Sequence, residues 1–239
     1  MTAVLAGFTV AVTADRRTDE LATELEQRGA RVVLVRVPRI VPVPRDSGHQ
    51  WAPELDPTPL QRLVDLIANR LVDAVTFSSA PAVASLLHAA GSDADDVLLA
   101  LRTDVLAGWV GPAAAEPLRR HGVPVLAPGP AQALAEALVE ALPRRTRTLR
   151  IAGSELVLRG HAAVVDGILK PLPPAQMAVL RCLAASPGRV LPRAELLHAL
   201  PRGSGEHAVE MAVARLRATL GGTGFIQTVV KRGYRLRVD

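Results

Sequence analysis

The chain has 239 residues, 49% of them apolar, and a formal net charge of +5. That length holds one large domain or two small ones, and that apolar content excludes a disordered chain. No apolar run approaches the roughly 18 residues of a membrane span, no signal-peptide pattern opens the chain, and a single cysteine, Cys182, excludes an internal disulfide and a cysteine-cluster metal site. A cytoplasmic protein with no membrane partner, no cofactor and no metal is expected.

In chain order, Phe8–Thr13 reads as a strand and is followed by a polar loop, Ala14-Asp15-Arg16-Arg17. Thr18 or Asp19 can cap a helix with Leu21 and Leu25, which closes at Gly29, and Arg31–Val35 is the next strand. This is one β-α-β unit of a parallel sheet. From Pro38 to Pro59, prolines at 38, 42, 44, 53, 57 and 59 give an extended connection with a possible strand at Arg39–Val43. The spacing then predicts a helix at Leu60–Asn69, a strand at Ala74–Phe77, a helix with Val83, Leu86 and Leu87 inward, and a further helix around Val97–Leu101. A strand at Val105–Val110 leads through Gly111-Pro112 to a helix ending near Gly122. Val123–Leu126 is a fifth strand and Gln132–Leu142 a last helix. Such alternation predicts a flavodoxin-like, doubly wound α/β domain over residues 1–142.

Ligands of such sheets sit at the carboxyl ends of the strands. The candidates there are Thr13, Arg16, Arg17, Ser78, Ser79 and Gly111, whose hydroxyls, guanidiniums and helix N-termini suit a carboxylate or phosphate. Thr13, Ser78 and Ser79 equally suit the plain roles of cap and turn former. A phosphoacceptor site is not expected, because both lysines, Lys170 and Lys231, lie beyond this domain and only Asp15 is an acidic residue well placed at a strand end.

The series Val10-Ala11-Val12-Thr13, Glu20-Leu21-Ala22, Gly29-Ala30, Asp73-Ala74-Val75-Thr76-Phe77-Ser78-Ser79, Gly111-Pro112 and Gly122-Val123 resembles uroporphyrinogen-III synthase. That family has two α/β domains with the cyclisation site between them. The resemblance implies one such domain here, with residues 38–59 where the second would be inserted. It also implies a small anionic or tetrapyrrole-related ligand. The threonine expected after the Gly-Pro step is Ala114, and the only tyrosine, Tyr234, is far along the chain.

Residues 143–148 are basic and proline-led, as a linker is. From Arg150 onward, 13 Lys and Arg stand against 6 Asp and Glu, a net +7; the preceding residues carry 15 against 17, a net −2. The positive end would attract a polyanion. Short strands are expected at Leu149–Ala152, Glu155–Leu158, Ala162–Val165 and Ile168-Leu169, with Asp166-Gly167 as a hairpin turn. Pro173-Pro174 opens a helix with Met177, Leu180 and Leu183 buried. Arg193–Leu200 is a second helix, and Glu206–Leu220 a third, with Val209, Val213, Leu216 and Leu220 on one face. Phe225–Val230 and Tyr234–Val238 are strands joined by Lys231-Arg232-Gly233.

Asp166-Gly167, Pro187-Gly188-Arg189-Val190, Arg193-Ala194-Glu195-Leu196-Leu197, Val213-Ala214-Arg215-Leu216-Arg217 and Arg232-Gly233-Tyr234-Arg235-Leu236 are similar to the winged-helix output domain of the response-regulator family that includes OmpR and PhoB. The resemblance spans residues 149–239. It implies a third helix in the major groove of double-stranded DNA and a wing in the minor groove, an arrangement that allows a homodimer on DNA without requiring one. Arg215 and Arg217 would meet phosphates or base edges, Glu210 a cytosine amino group and His207 a phosphate. Arg232 would enter the minor groove, with Lys231 and Arg235 on the backbone. Arg217 could instead pair with Glu210 or Glu195, and Tyr234 suits the core. The expected function is a DNA-binding transcriptional regulator with a synthase-derived ligand or interaction domain. The alternatives are uroporphyrinogen-III synthase activity and a protein-binding scaffold.

Overall fold

The computed structural model describes residues 3–14, 19–36, 58–110, 116–201, 205, 207–222 and 224–238. Two compact units divide the chain, residues 1–141 and 142–239.

In the first unit, strands β1 (Thr9–Ala14), β2 (Arg31–Arg36), β3 (Ala74–Phe77), β4 (Leu106–Val110) and β5 (Val125–Gly129) form a parallel sheet in the order β2-β1-β3-β4-β5. This is the flavodoxin-like order, which reverses between β1 and β3. Helices α1 (Asp19–Gln27) and α6 (Ala131–Ala141) pack together on one face. The other face carries α2 (Thr58–Ala68), α3 (Ala80–Ala90), α4 (Ala94–Thr103) and α5 (Glu116–Arg120). Val75, Phe77, Ala107 and Trp109 are fully buried in one cluster with Leu63, Ile67, Leu86 and Leu118, because sheet residues two apart share a face. On the α6 face Gly108 packs closely against Leu134. A Cβ there would lie 2.9 Å from Leu134 Cδ1.

Many observed ends differ from the sequence reading, those of α2, β5 and the linker among them. Helix α2 begins at Thr58, so Pro59 sits in its first turn, where a missing N–H costs nothing. Strand β5 begins after Pro124 and runs on through Pro128 to Gly129, which an edge strand tolerates because one side of its backbone has no ladder partner. The linker is shorter than residues 143–148: a 3₁₀ turn at Pro143–Arg145 leads into a strand that starts at Arg147. Arg147 and Arg150 lie on an edge strand, which tolerates charge. The possible strand at Arg39–Val43 and the Gly111-Pro112 turn lie outside the described residues.

The second unit opens with a four-stranded antiparallel sheet, β6 (Arg147–Ile151), β7 (Ser154–Arg159), β8 (Ala162–Val165) and β9 (Ile168–Pro171). Asp166 (φ 48°) and Gly167 (φ 82°) make the turn between β8 and β9, both left-handed as a type I′ hairpin requires. Three helices follow, α7 (Pro174–Ala185), α8 (Arg193–Ala199) and α9 (Ala208–Leu220), and then the hairpin β10 (Ile226–Val229) and β11 (Gly233–Leu236). Leu156, Leu180, Leu183, Leu196, Leu216, Ile226 and Leu236 meet in one core. Tyr234 is buried there too, as its apolar setting implied. Strands, three helices and a terminal hairpin in this order are a winged helix.

Candidate nucleic-acid interface

Helix α9 has two opposed faces. Val209, Ala212, Val213, Leu216 and Leu220 are buried against α7, α8 and the hairpin. His207, Met211, Ala214, Arg215 and Ala218 are exposed. At 3.6 residues per turn these five fall within an arc of roughly 100°, opposite the buried stripe. The Arg215 side chain has no hydrogen bond or ion pair with any described residue. His207 stands at the helix N-terminus, exposed, without a side-chain capping bond.

Two of the expected contact residues lie on the flank of that arc and have partners inside the protein. Arg217 donates from Nε and Nη2 to the Ile226 carbonyl oxygen (3.0 and 2.8 Å) and from Nη2 to Thr228 Oγ1 (2.8 Å). It therefore ties α9 to β10, and it pairs with neither Glu210 nor Glu195. Glu210 accepts from Arg193 Nε at the start of α8 (2.7 Å). Its carboxyl is held below the ordinary glutamate range, first by its own main-chain N–H and then by Arg193, against some desolvation. The Arg193 and Arg217 guanidiniums also flank Tyr234, 5.3 and 5.9 Å from the ring centroid. One network thus joins α8, α9 and the hairpin.

The hairpin tip is Val230-Lys231-Arg232, all exposed. Lys231 adopts φ 60°, and the Arg232 N–H donates to the Val229 carbonyl oxygen (3.0 Å). Strand β11 is held from behind. The Leu191 N–H donates to the Tyr234 carbonyl oxygen (2.8 Å), and the Tyr234 N–H donates back (3.1 Å). Arg235 Nε donates to Gln227 Oε1 across the strands (2.9 Å). Arg235 and Arg237 border a groove of about 460 Å³ that also reaches Gly188 and Gln227.

Sequence reasoning missed Arg193, Met211 and Arg237. A helical wheel would have placed Met211 beside Arg215. No sequence signal pairs Arg193 with Glu210, which lies 17 residues away.

Among the candidate ligand residues of the α/β unit, Thr13 is 1% exposed, and its hydroxyl donates to the Thr76 carbonyl oxygen (2.8 Å), tying β1 to β3. Ser79 caps α3, its Oγ accepting from the Ala82 N–H (3.4 Å). Ser78 is half-buried at the end of β3. Arg16, Arg17 and Gly111 lie outside the described residues. No described helix is long and apolar enough to cross a membrane.

The architecture defines the class: a flavodoxin-like α/β unit followed by a winged helix. Residues 5–140 match the family model for uroporphyrinogen-III synthase HemD, which is more than half of the chain, and the chain belongs to that family. Residues 170–236 match a second model, transcriptional regulatory protein, C terminal. Among solved structures, the chain is similar to the DNA-binding domain of CpxR from E. coli at 27% identity, covering 38% of this chain and 97% of that one, with a TM-score of 0.33. It is similar to the Klebsiella pneumoniae RstA DNA-binding domain in complex with the RstA box at 23% identity, covering 39% and 97%, with a TM-score of 0.32. A third is uroporphyrinogen III synthase from the extreme thermophile Thermus thermophilus, at 27% identity, 58% of this chain and 51% of that one, with a TM-score of 0.33; the chain thus spans about half of that synthase. None of the curated proteins matches the chain.

Proposed function

We propose that the chain is a DNA-binding transcriptional regulator. The observation that carries this reading is the two-faced helix α9, which turns Arg215 outward with no described partner while the same unit presents Lys231 and Arg232 at the tip of a hairpin. Helix α9 enters the major groove of double-stranded DNA with Arg215 at base edges or phosphate and His207 at a phosphate. Arg232 reaches the minor groove, and Lys231 and Arg235 lie along the backbone. Glu210 and Arg217 act as positioning residues, because Glu210 Oε1 accepts from Arg193 and the Arg217 guanidinium is bonded to the hairpin. The chain binds as a homodimer. Its α/β unit controls binding by taking a small anionic or tetrapyrrole-related ligand, a reading supported by the family match over residues 5–140.

Gel-shift titration of the purified chain on promoter duplexes at several salt concentrations tests the reading. Affinity falls steeply with salt, and Arg215→Ala costs about 1–3 kcal/mol, roughly 5- to 150-fold, on a preferred duplex. Binding no better than background, unchanged by Arg215→Ala or Arg232→Ala, overturns it. The same family match favours a second reading, cyclisation of hydroxymethylbilane to the type III porphyrinogen, and turnover of that substrate by the purified chain would establish it.

A further inference from the structure

We infer that the outward arc of α9 reads thymine methyl groups, with Met211 as the principal reading residue, so that the preferred duplex carries thymines beside the base pair met by Arg215. The inference rests on the DNA-binding reading above and deepens it. Of the five side chains on the arc, three are apolar: Met211, Ala214 and Ala218. Met211 is 52% exposed, in the first turn of a 13-residue helix whose opposite face supplies the core. An unbranched, polarizable side chain kept out of a core it could have joined is suited to an irregular apolar surface. In the major groove the apolar feature of a base edge is the C5 methyl of thymine.

The neighbouring residues narrow the chemistry further. Glu210, the expected acceptor for a cytosine amino group, is bonded to Arg193 and sits off the arc. Arg217 is bonded to Ile226 and Thr228. The Thr219 hydroxyl is shared with Gln176 Oε1 (3.3 Å) and the Arg215 carbonyl oxygen (3.0 Å). What remains facing outward is one guanidinium, one imidazole at the helix start and an apolar strip between and beyond them. A guanidinium meets guanine N7 and O6 in its usual bidentate contact. The alanines at 214 and 218 keep the helix surface low, which lets the groove approach and leaves Met211 as the long apolar probe.

The experiment has two stages, both with the full chain. A randomised duplex pool is first selected for binding, and the enriched duplex is then compared with the same duplex bearing deoxyuridine in place of each thymidine in turn. Removing a contacted methyl costs on the order of fourfold in affinity, as burial of one such group implies. The uracil effect disappears in Met211→Ala and persists in Met211→Leu, which isolates the pair as a double-mutant cycle. Met211 is exposed, so both variants fold; unchanged thermal melting checks this. If no duplex is enriched over bulk competitor DNA, the DNA-binding reading fails and this one with it. If a duplex is enriched but uracil leaves its affinity unchanged, or the uracil effect is the same in Met211→Ala, the thymine inference alone is overturned.

Discussion

Gly233 is the position where a single atom decides the shape of the wing. Its backbone passes Leu191 so closely that an added Cβ would lie 2.0 Å from the Leu191 carbonyl oxygen, and its φ is 128°. No rotamer relieves a clash between a Cβ and a main chain. Gly233→Ala is therefore expected to destabilise the winged helix by about 2 kcal/mol or more, read as a lower denaturation midpoint; a variant that melts like the wild type would show that β11 does not dock on Leu191. Glu210 makes a second expectation at this scale. Its pKa in the folded chain is depressed by its own N–H and by Arg193, so its contribution to stability is present above the unfolded glutamate value, about 4.3, and is lost as pH falls through the lower folded value. Acid titration of stability should show this loss below about pH 4.3, and Glu210→Gln should flatten that part of the profile. A profile that Glu210→Gln leaves unchanged would remove the Arg193 pairing as its cause.

At the scale of elements, the angle between α9 and the hairpin depends on Arg217. Its guanidinium bridges to the Ile226 carbonyl and the Thr228 hydroxyl and lies over Tyr234. Arg217→Ala removes hydrogen bonds of a charged donor, each worth about 1.5–3 kcal/mol in a protected setting and less here, where the group is partly exposed. Faster amide exchange in residues 226–236 is the expected readout, together with weaker DNA binding and an unaltered α9. Equal exchange in wild type and variant would leave Arg217 free for the DNA contact first expected of it. The elements themselves were largely legible. Strands β1 to β4, the Asp166-Gly167 turn, and the buried stripe Val209, Val213, Leu216, Leu220 follow from periodicity and turn chemistry that act over a few residues. The ends were less so, as at β5 and β6, because pairing with the neighbouring strand in the sheet decides where a strand starts and stops.

For the molecule as a whole, the charge of +7 counted from Arg150 onward gathers in part on the wing, where Lys231, Arg232, Arg235 and Arg237 stand within seven residues. Each phosphate neutralised by such a cation contributes roughly −0.9 to the slope of log affinity against log salt. Lys231→Ala is expected to reduce the magnitude of that slope by about 1, with little change in sequence preference; an unchanged slope takes Lys231 off the phosphate backbone. The sequence by itself determined that this protein has a doubly wound α/β unit and which stripes are buried, since these properties rest on short-range spacing, while the winged helix that follows was legible through its motifs' resemblance to a known family. Tertiary structure alone decided which polar residues of α9 are committed inward. Glu210 meets Arg193 and Arg217 meets Ile226 across separations of 17 and 9 residues. It thereby left Arg215 and Met211 together on the face that is free, because a side chain's partner is set by what the fold brings beside it.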